Sequence, residues 1–136
     1  MACVLDSSVT LAWLLPDETN ARSDAVRAAV EGGMDVWIPA HWWLEIGNGL
    51  LMAERRGRIN SEQVAQALSL VNALPLEEDE ETAEQIPMRT LTLARKHSLT
   101  VYDAAYLELA QRRGASLATF DEQLLSAAAK EKIPTE

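Results

Sequence analysis

The sequence has little of several features whose scarcity excludes whole classes of protein. It contains one cysteine, so an internal disulfide cannot form and a reducing cytoplasm is the expected location. It contains no run of about 20 apolar residues, so no membrane-spanning helix is predicted. The apolar N-terminal stretch lacks a basic segment and contains Asp6, which predicts a first strand and helix rather than a secretion signal. We therefore expect one cytoplasmic globular domain over residues 1–136.

Basic residues are also scarce, because 12 Lys and Arg face 21 Asp and Glu and the net charge is −9. Such a balance at first argues against a nucleic-acid partner. The segment 77–84, however, holds six of the acids, and without them the net charge falls from −9 to −3. If four more carboxylates line a metal pocket, the remaining surface is about neutral, so net charge does not decide about RNA. We interpret the acidic segment as a solvated turn followed by the first turn of a helix.

Short β-type runs alternate with longer helical patterns along the chain. Strands are predicted at 2–6, 35–38, 74–76 and 116–120, and helices at about 7–15, 19–30, 40–56, 61–73, 80–97, 101–113 and 121–130. Pro87 should bend or divide the fifth helix, while Gly47 and Gly49 in the third suggest a close approach by another helix or a ligand. The alternation predicts an α/β three-layer α/β/α domain with a central, mostly parallel sheet of about four to five strands.

Four carboxylates are candidates for a common site. Asp6 and Asp121 each follow a predicted strand, and ligands of open parallel sheets bind at the carboxyl ends of strands. Glu45 and Asp103 lie on helices among mostly apolar neighbours, where a carboxylate is seldom buried unless it is paired, hydrogen-bonded or bound to a metal. Each acid alone is equally well explained as a helix cap or a partly exposed side chain. Together, on four separate elements, they predict one acidic pocket.

Such a pocket would attract a divalent cation. Two carboxylates about 4 Å apart repel each other by roughly 1–4 kcal/mol, so four in one pocket would take up protons or bind a cation. Oxygen ligands without clustered cysteine or histidine favour Mg²⁺ or Mn²⁺ over zinc.

Four short motifs resemble those of the PIN-domain family and occur in the same order over nearly the whole chain. DSSV at 6–9 is similar to the family's opening motif, and EIGNGL at 45–50 is similar to its central E-x-x-N-x-L helix. YDAAY at 102–106 resembles the third acidic motif, and TFDEQL at 119–124 resembles the closing T-x-D-x-x-L motif. The length of the chain also suits the branch of VapC-like toxins, which are one half of VapBC toxin–antitoxin pairs.

The resemblance implies a metal-dependent endoribonuclease that cleaves RNA phosphodiesters with metal-activated water. The family's acidic quartet, which would hold Mg²⁺ or Mn²⁺, corresponds to Asp6, Glu45, Asp103 and Asp121. Within it, Glu45 would either ligate the metal or position the attacking water. Polar positions that would orient the carboxylates or the waters of the metal correspond to Ser8, Asn48 and Thr119. The implied partners are an RNA substrate, a VapB-like antitoxin whose tail would block the pocket, and a second copy in a homodimer.

Other interpretations remain open at the level of sequence. A haloacid-dehalogenase-like phosphatase would need a second aspartate where Ser8 stands, and a response-regulator receiver would need an acceptor aspartate after a middle strand, for which the chain offers no clear candidate. A PIN-fold binding module without catalysis would be expected to lose acidic residues, yet all four are present. A toxin acting mainly within a repressor complex is a further alternative.

The remaining conspicuous residues receive structural interpretations. His41 precedes Glu45 by four positions, and a structural role near a helix start is preferred over a metal-ligand pair. His97 is predicted to be a surface residue near a helix C-terminus. The basic clusters at 55–58, 95–96 and 112–113 lie near predicted helix ends, where they complement the helix dipole, and any of them could contact RNA phosphates or acidic groups of an antitoxin. Of the adjacent Trp42 and Trp43, one is expected in the core and the other at an interface with a partner.

Overall fold

A computed structural model describes residues 1–136 as a parallel four-stranded sheet with helices on both faces. The strands are β1 (Ala2–Leu5), β2 (Asp35–Ile38), β3 (Leu76–Glu78) and β4 (Ser116–Ala118). The helices are α1 (Ser7–Leu14), α2 (Ala21–Glu31), α3 (Trp42–Arg55), α4 (Ser61–Asn72), α5 (Leu91–His97), α6 (Val101–Arg113) and α7 (Glu122–Lys130). A π-helical turn, Ile86–Thr90, precedes α5. The predicted α/β class and three-layer arrangement are confirmed.

The strand order is β3-β2-β1-β4, and every neighbouring pair is parallel. The chain therefore builds the sheet outward from β1 through β2 to β3 and then returns to place β4 on the other side of β1. In this topology the switch point lies between β1 and β4. The C-terminal segment follows the outer edge of β4 through a parallel bridge between Leu117 and Thr135, which covers an otherwise unpaired strand edge.

Local sequence signals account for most element boundaries. The side chains of Asn20 and Asn60 accept hydrogen bonds from the third residue of α2 and of α4, and both complete capping boxes. Gly57 and Gly114 take positive φ angles at the ends of α3 and α6, a conformation that favours glycine. A Cβ atom at Gly49 would lie 2.5 Å from a methyl group of Leu11, so α1 and α3 approach closely there, as predicted. No other helix approaches Gly47, whose position for a Cβ atom faces open space, and the approach of a ligand there stays a prediction.

The predicted helix over 80–97 is wrong in its first half. Residues 80–85 form turns, the π-helical turn follows, and a regular α-helix begins only at Leu91. Pro87 lies in that π-helical turn and has no N–H to donate, which is incompatible with a continuous α-helical ladder. The predicted strand 74–76 is shifted as well, because β3 begins at Leu76 and extends into the acidic segment.

The interpretation of the acidic segment as a solvated turn is wrong for Asp79. Its side chain is fully buried, and its carboxylate accepts hydrogen bonds from Arg112, from Arg113 and from the hydroxyl of Thr82. Arg112 also binds both carboxylate oxygens of the buried Glu108, at 2.9 and 3.0 Å. Burial alone would raise the pKa of Asp79, but these partners hold it at about 2. The segment is thus anchored to α6 by a buried ionic network.

The core contains a fully buried Trp42, while Trp43 is half-buried and packs against the core edge-on to Trp42. The expectation that one of the pair lies in the core is confirmed, and the interface role of the other stays a prediction.

His97 is not the surface residue that the sequence predicts. Its side chain is 4% exposed and its Nε2 lies 2.6 Å from Glu131, which ties α5 to the end of α7. No helix is both long and apolar enough to cross a membrane.

Replacing Arg112 with alanine should destabilise the fold by about 3–5 kcal/mol, because two buried carboxylates would lose their shared cation. Urea unfolding at pH 7, followed by tryptophan fluorescence, measures the loss. Arg27→Ala is the control, since Arg27 pairs with Glu31 on an exposed helix surface and should cost about 0.5 kcal/mol or less. Equal losses in the two variants would contradict the structural role of the network.

The same network makes the stability of the fold depend on pH. The pKa of Asp79 in the folded state, about 2, lies below its ordinary value of 3.8, so its stabilising contribution is present above about pH 4 and is lost as the pH falls towards 2. Arg112→Ala should weaken that dependence.

Candidate active site

The carboxyl ends of β1 and β4 bring Asp6 and Asp121 to the switch point of the sheet. Leu5 pairs with Ala118 in register, and the backbone N–H of Asp6 donates to the carbonyl oxygen of Ala118 at 2.9 Å. Each aspartate is the residue that precedes a helix, Asp6 before α1 and Asp121 before α7. The structure therefore places these two acids at the end of the sheet that the sequence predicts.

Two hydroxyl groups fix the Asp6 carboxylate and connect it to the β4 side. Ser8 donates to Asp6 Oδ2 at 2.7 Å, and Thr119 donates to the same oxygen at 2.6 Å. Each hydroxyl also accepts a backbone hydrogen bond, Ser8 from Phe120 N–H and Thr119 from Asp121 N–H. Ser8 and Thr119 thus orient Asp6 while they hold the loop that carries Asp121, and their supporting role at a metal site stays a prediction.

Only one carboxylate oxygen of Asp121 accepts a hydrogen bond from the protein. Its side-chain Oδ1 accepts from the backbone N–H of Leu124 at 2.9 Å and caps α7. The helix-cap interpretation is therefore confirmed for this residue, and its role in a metal pocket stays a prediction. A carboxylate that caps through one oxygen retains its second oxygen for a ligand.

Glu45 reaches the same pocket from α3. Its Oε1 accepts a hydrogen bond of 2.5 Å from the hydroxyl of Tyr106, and Ser7 Oγ lies 3.4 Å from the same oxygen and 3.5 Å from Asp6 Oδ1. His41 Nε2 is 3.7 Å from Glu45 and 3.0 Å from the carbonyl oxygen of Tyr102, so the histidine joins the start of α3 to α6 as a structural residue. Glu45 is thereby held between α1 and α6.

Sequence reasoning missed the roles of Tyr106 and Ser7. Tyr106 lies three residues after Asp103 on α6, a spacing that puts both side chains on one helix face, and this spacing was an available signal. Ser7 sits directly beside Asp6, and nothing in the pattern distinguishes it from Ser8. Burial and the negative charges of Asp6 and Glu45 raise the pKa of Tyr106, so its hydroxyl remains a donor.

Asp103 completes the acidic cluster at the beginning of α6. Burial, followed by the charges of Asp121, Asp6 and Glu45, raises the pKa of Asp103 to about 6. Burial also raises the pKa of Asp6, with the hydroxyl partners Thr119 and Ser8 opposing and the charges of Glu45 and Asp121 adding to the shift. The charges of the other three acids therefore act on Asp103, and those of Glu45 and Asp121 act on Asp6.

Asn48 is the one predicted site residue that the structure does not connect to the cluster. It lies on α3, one turn after Glu45, but its side chain is exposed and forms no hydrogen bond with a carboxylate of the quartet. Its orienting role stays a prediction. The basic clusters are also distributed: Arg112 and Arg113 serve the buried network, Lys96 binds Glu131, and Arg58 binds Asp17 and Glu18.

The donor set suits a hard divalent cation, although the carboxylates do not close on a single point. No three of the acidic, histidine or cysteine side chains are close enough together to hold one ion by direct contacts alone. Mg²⁺ usually keeps several waters and takes only one or two protein carboxylates, so this spacing fits Mg²⁺ or Mn²⁺ better than a fully protein-enclosed ion. The raised pKa values of Asp6 and Asp103 indicate negative charge that a cation would compensate.

Comparison with known proteins identifies the family. The sequence matches the family model described as the PIN domain over residues 3–130, nearly the whole chain. The chain belongs to the PIN-domain family. A relative, Ribonuclease VapC3 of Pyrobaculum aerophilum, is 31% identical over 128 residues, which cover 91% of this chain and 92% of the relative.

Solved structures show the same PIN fold. VapBC2 from Rickettsia felis, solved with a DNA fragment from its promoter, superposes with a TM-score of 0.68 at 13% sequence identity. The alignment covers 100% of this chain and 98% of the Rickettsia chain. VapC20 from Mycobacterium tuberculosis, described as a toxin that cleaves the sarcin–ricin loop, gives a TM-score of 0.62 at 16% sequence identity. That alignment covers 92% of this chain and 94% of the VapC20 chain. At these identities the likeness establishes the fold.

Replacing Asp103 with asparagine should stabilise the metal-free protein at pH 7.5 by about 1 kcal/mol. The raised pKa of Asp103 means that its charged form is disfavoured in the folded state, so stability is lost as the pH rises from 3.8 and the loss is complete once the pH has risen through about 6. The side chain is half-buried, and solvent screening reduces the effect below the full equivalent of the shift. Thermal unfolding in EDTA measures it.

The same experiment with Mg²⁺ or Mn²⁺ distinguishes a metal pocket from a repulsive cluster. The wild-type protein should gain about 1.4 kcal/mol at a free metal concentration ten times the dissociation constant, and Asp103→Asn should gain less. Asp24→Asn, an exposed acid at the start of α2, is the matched control and should respond to metal like the wild type. An equal response of Asp103→Asn and the wild type would exclude Asp103 from the metal pocket.

Proposed function

We propose that this PIN-domain protein is a metal-dependent endoribonuclease and the toxin of a VapBC-type pair. The observation that carries the proposal is the grouping of Asp6, Glu45, Asp103 and Asp121 near the switch point between β1 and β4, where burial and the charges of neighbouring acids raise the pKa values of Asp6 and Asp103. The names of the relatives support RNA as the substrate, since one is a ribonuclease and another is a toxin that cleaves a ribosomal loop. An enzyme acting on cellular RNA would work in the cytoplasm.

The four carboxylates would have different roles at the proposed metal site. Asp6, held by Ser8 and Thr119, would be the most rigid ligand, and the second oxygen of Asp121 and the carboxylate of Asp103 would face the same cation. Mg²⁺ or Mn²⁺ bound there would supply charge stabilisation at the scissile phosphate and a water of lowered pKa. Glu45, fixed by Tyr106, would either ligate the cation or orient the attacking water through its other oxygen.

The partner in the cell would be a VapB-like antitoxin. Support comes from the structural neighbours, since one is described as VapBC2 and another as a toxin–antitoxin complex from Klebsiella pneumoniae, with a TM-score of 0.57 at 17% identity. A catalytically silent binding module is the alternative function. A cleavage assay separates the two.

Purified protein free of antitoxin should cut a mixed RNA pool with Mg²⁺ or Mn²⁺ and should not cut it in EDTA. Asp6→Asn should lower the rate at least 100-fold, because it removes a charge from the best-oriented ligand position. Asp24→Asn, the same chemical change on an exposed helix, should cut at the wild-type rate. Denaturing gel electrophoresis of end-labelled RNA gives the readout. Metal-independent cutting, or none with either metal over many RNAs, would favour the binding module.

We further propose that the protein forms a homodimer through an apolar face at the start of α3 and α6. Leu44 is 77% exposed and Tyr102 is 64% exposed, values that are high for large apolar side chains. Tyr102, His41 and Ile86 line one open groove of about 200 Å³, and Leu44 follows His41 on α3. Exposed apolar residues clustered in this way are typical of interaction surfaces.

Light scattering across micromolar concentrations should report twice the chain's 15.0 kDa for the wild type and a shift towards the monomer for Leu44→Glu, which places a charge on that face. Leu70→Glu is the matched control, because Leu70 is 53% exposed on α4, away from the groove. A monomeric wild-type mass throughout, or equal behaviour of the two variants, would refute this interface.

A further inference from the structure

A second groove opens directly beside the acidic quartet, on the side of α1 and α3. It has a volume of about 320 Å³, within the range of sites that hold small ligands. Ser8 and Phe120 form the wall that it shares with the quartet. Ser8 Oγ donates to Asp6 and accepts from the backbone N–H of Phe120 at 3.1 Å, so the groove and the carboxylates are held by the same hydrogen bonds.

The floor of the groove is apolar and contains an aromatic ring. Leu11, Leu15, Met52 and Ala53 line it together with Phe120. Gly49 also lines it, and the absence of a side chain at that position leaves room for the methyl groups of Leu11. An apolar floor with one aromatic ring suits the flat face of a nucleobase, which stacks on aromatic side chains without regard to base identity.

The rim of the groove carries two arginines in different states. Arg58 is already engaged by the carboxylates of Asp17 and Glu18, in contacts of 2.5 to 2.9 Å. Arg56 is exposed at the end of α3 and forms no salt bridge within the chain. One unpaired guanidinium at the rim is therefore free to bind a phosphate oxygen.

We infer that this groove is a nucleotide subsite, which takes a base of single-stranded RNA against Phe120 and the adjoining phosphate on Arg56. The inference rests on the proposed function, because a chain whose scissile phosphate lies at the quartet must continue into a neighbouring space. The groove is the space that shares Ser8 and Phe120 with the quartet. Glu18 also lines the groove and, with Asp17, neutralises Arg58, so Arg56 is the cation at the rim that offsets part of the repulsion that RNA would meet at the carboxylates.

Binding can be measured without cleavage by using the Asp6→Asn protein and a short fluorescein-labelled single-stranded RNA in Mg²⁺. Fluorescence anisotropy over a series of salt concentrations should show that Arg56→Gln lowers the slope of log Kd against log salt by about 0.7, the value for one lost phosphate contact. Arg55→Gln is the matched control, because it makes the same change of charge on the adjacent exposed residue, outside the groove. It should leave the slope unchanged.

Phe120→Leu tests the base contact and retains an apolar side chain. We expect RNA binding roughly five- to tenfold weaker, with a salt slope like that of the parent protein, because stacking is lost and no charge is changed. In the background with Asp6 intact, both Arg56→Gln and Phe120→Leu should raise KM more than they lower kcat. Thermal unfolding of Phe120→Leu shows whether a loss of binding reflects a loss of folding, and Arg56→Gln tests the groove independently.

The outcomes separate the subsite from the nuclease. If the wild type cuts RNA but Arg56→Gln and Phe120→Leu match Arg55→Gln in Kd, salt slope and KM, the subsite is refuted while the nuclease stands. If the wild type does not cut but RNA binding depends on Arg56 and Phe120, the subsite stands while the nuclease is refuted. Absence of both RNA binding and cleavage refutes both.

Discussion

The parallel pairing of β1 with β4 is the contact on which the candidate active site depends. It joins the first and last strands of the chain, with Cys3 opposite Ser116 and Leu5 opposite Ala118. Because both strands end at the same level, the residues that follow them emerge side by side. Asp6 and Asp121 are those residues or their near neighbours, and the hydroxyls of Ser8 and Thr119 tie the two loops together. The helices α3 and α6 then add Glu45 and Asp103.

Carboxylates in this fold are treated in two opposite ways. Asp79 is buried against two arginines, and the pKa of its carboxyl falls to about 2. Asp103 is half-buried against three other acids, and the pKa of its carboxyl rises to about 6. The first arrangement fixes the chain segment before α5 onto α6. The second leaves negative charge without a cation from the protein, a cost that is typical of binding sites and that a bound metal would remove.

Much of this arrangement could be predicted from sequence because it depends on local order. Acids placed after apolar runs fall at strand ends, and the strand 35–38 and the helix ending at Gly114 were predicted at their observed places. The fate of Asp79 could not be predicted, because its arginine partners lie 33 and 34 positions further along the chain. The burial of His97 could not be predicted for the same reason, since its partner Glu131 is distant in sequence. The contact of Tyr106 with Glu45 also depends on how α3 and α6 pack, which periodicity does not specify.

The distribution of paired and unpaired arginines bears on the apparent conflict between a net charge of −9 and the proposed RNA substrate. Arg112, Arg113 and Arg58 neutralise acids of the chain itself, so neither they nor their partners contribute much to the field that a substrate meets. What matters at the site is the local balance between four carboxylates, the proposed divalent cation and the side-chain cations left unpaired at their border, of which Arg56 is one. A charge total counts all of these alike. The field at the switch point depends on which of them already have partners within the fold.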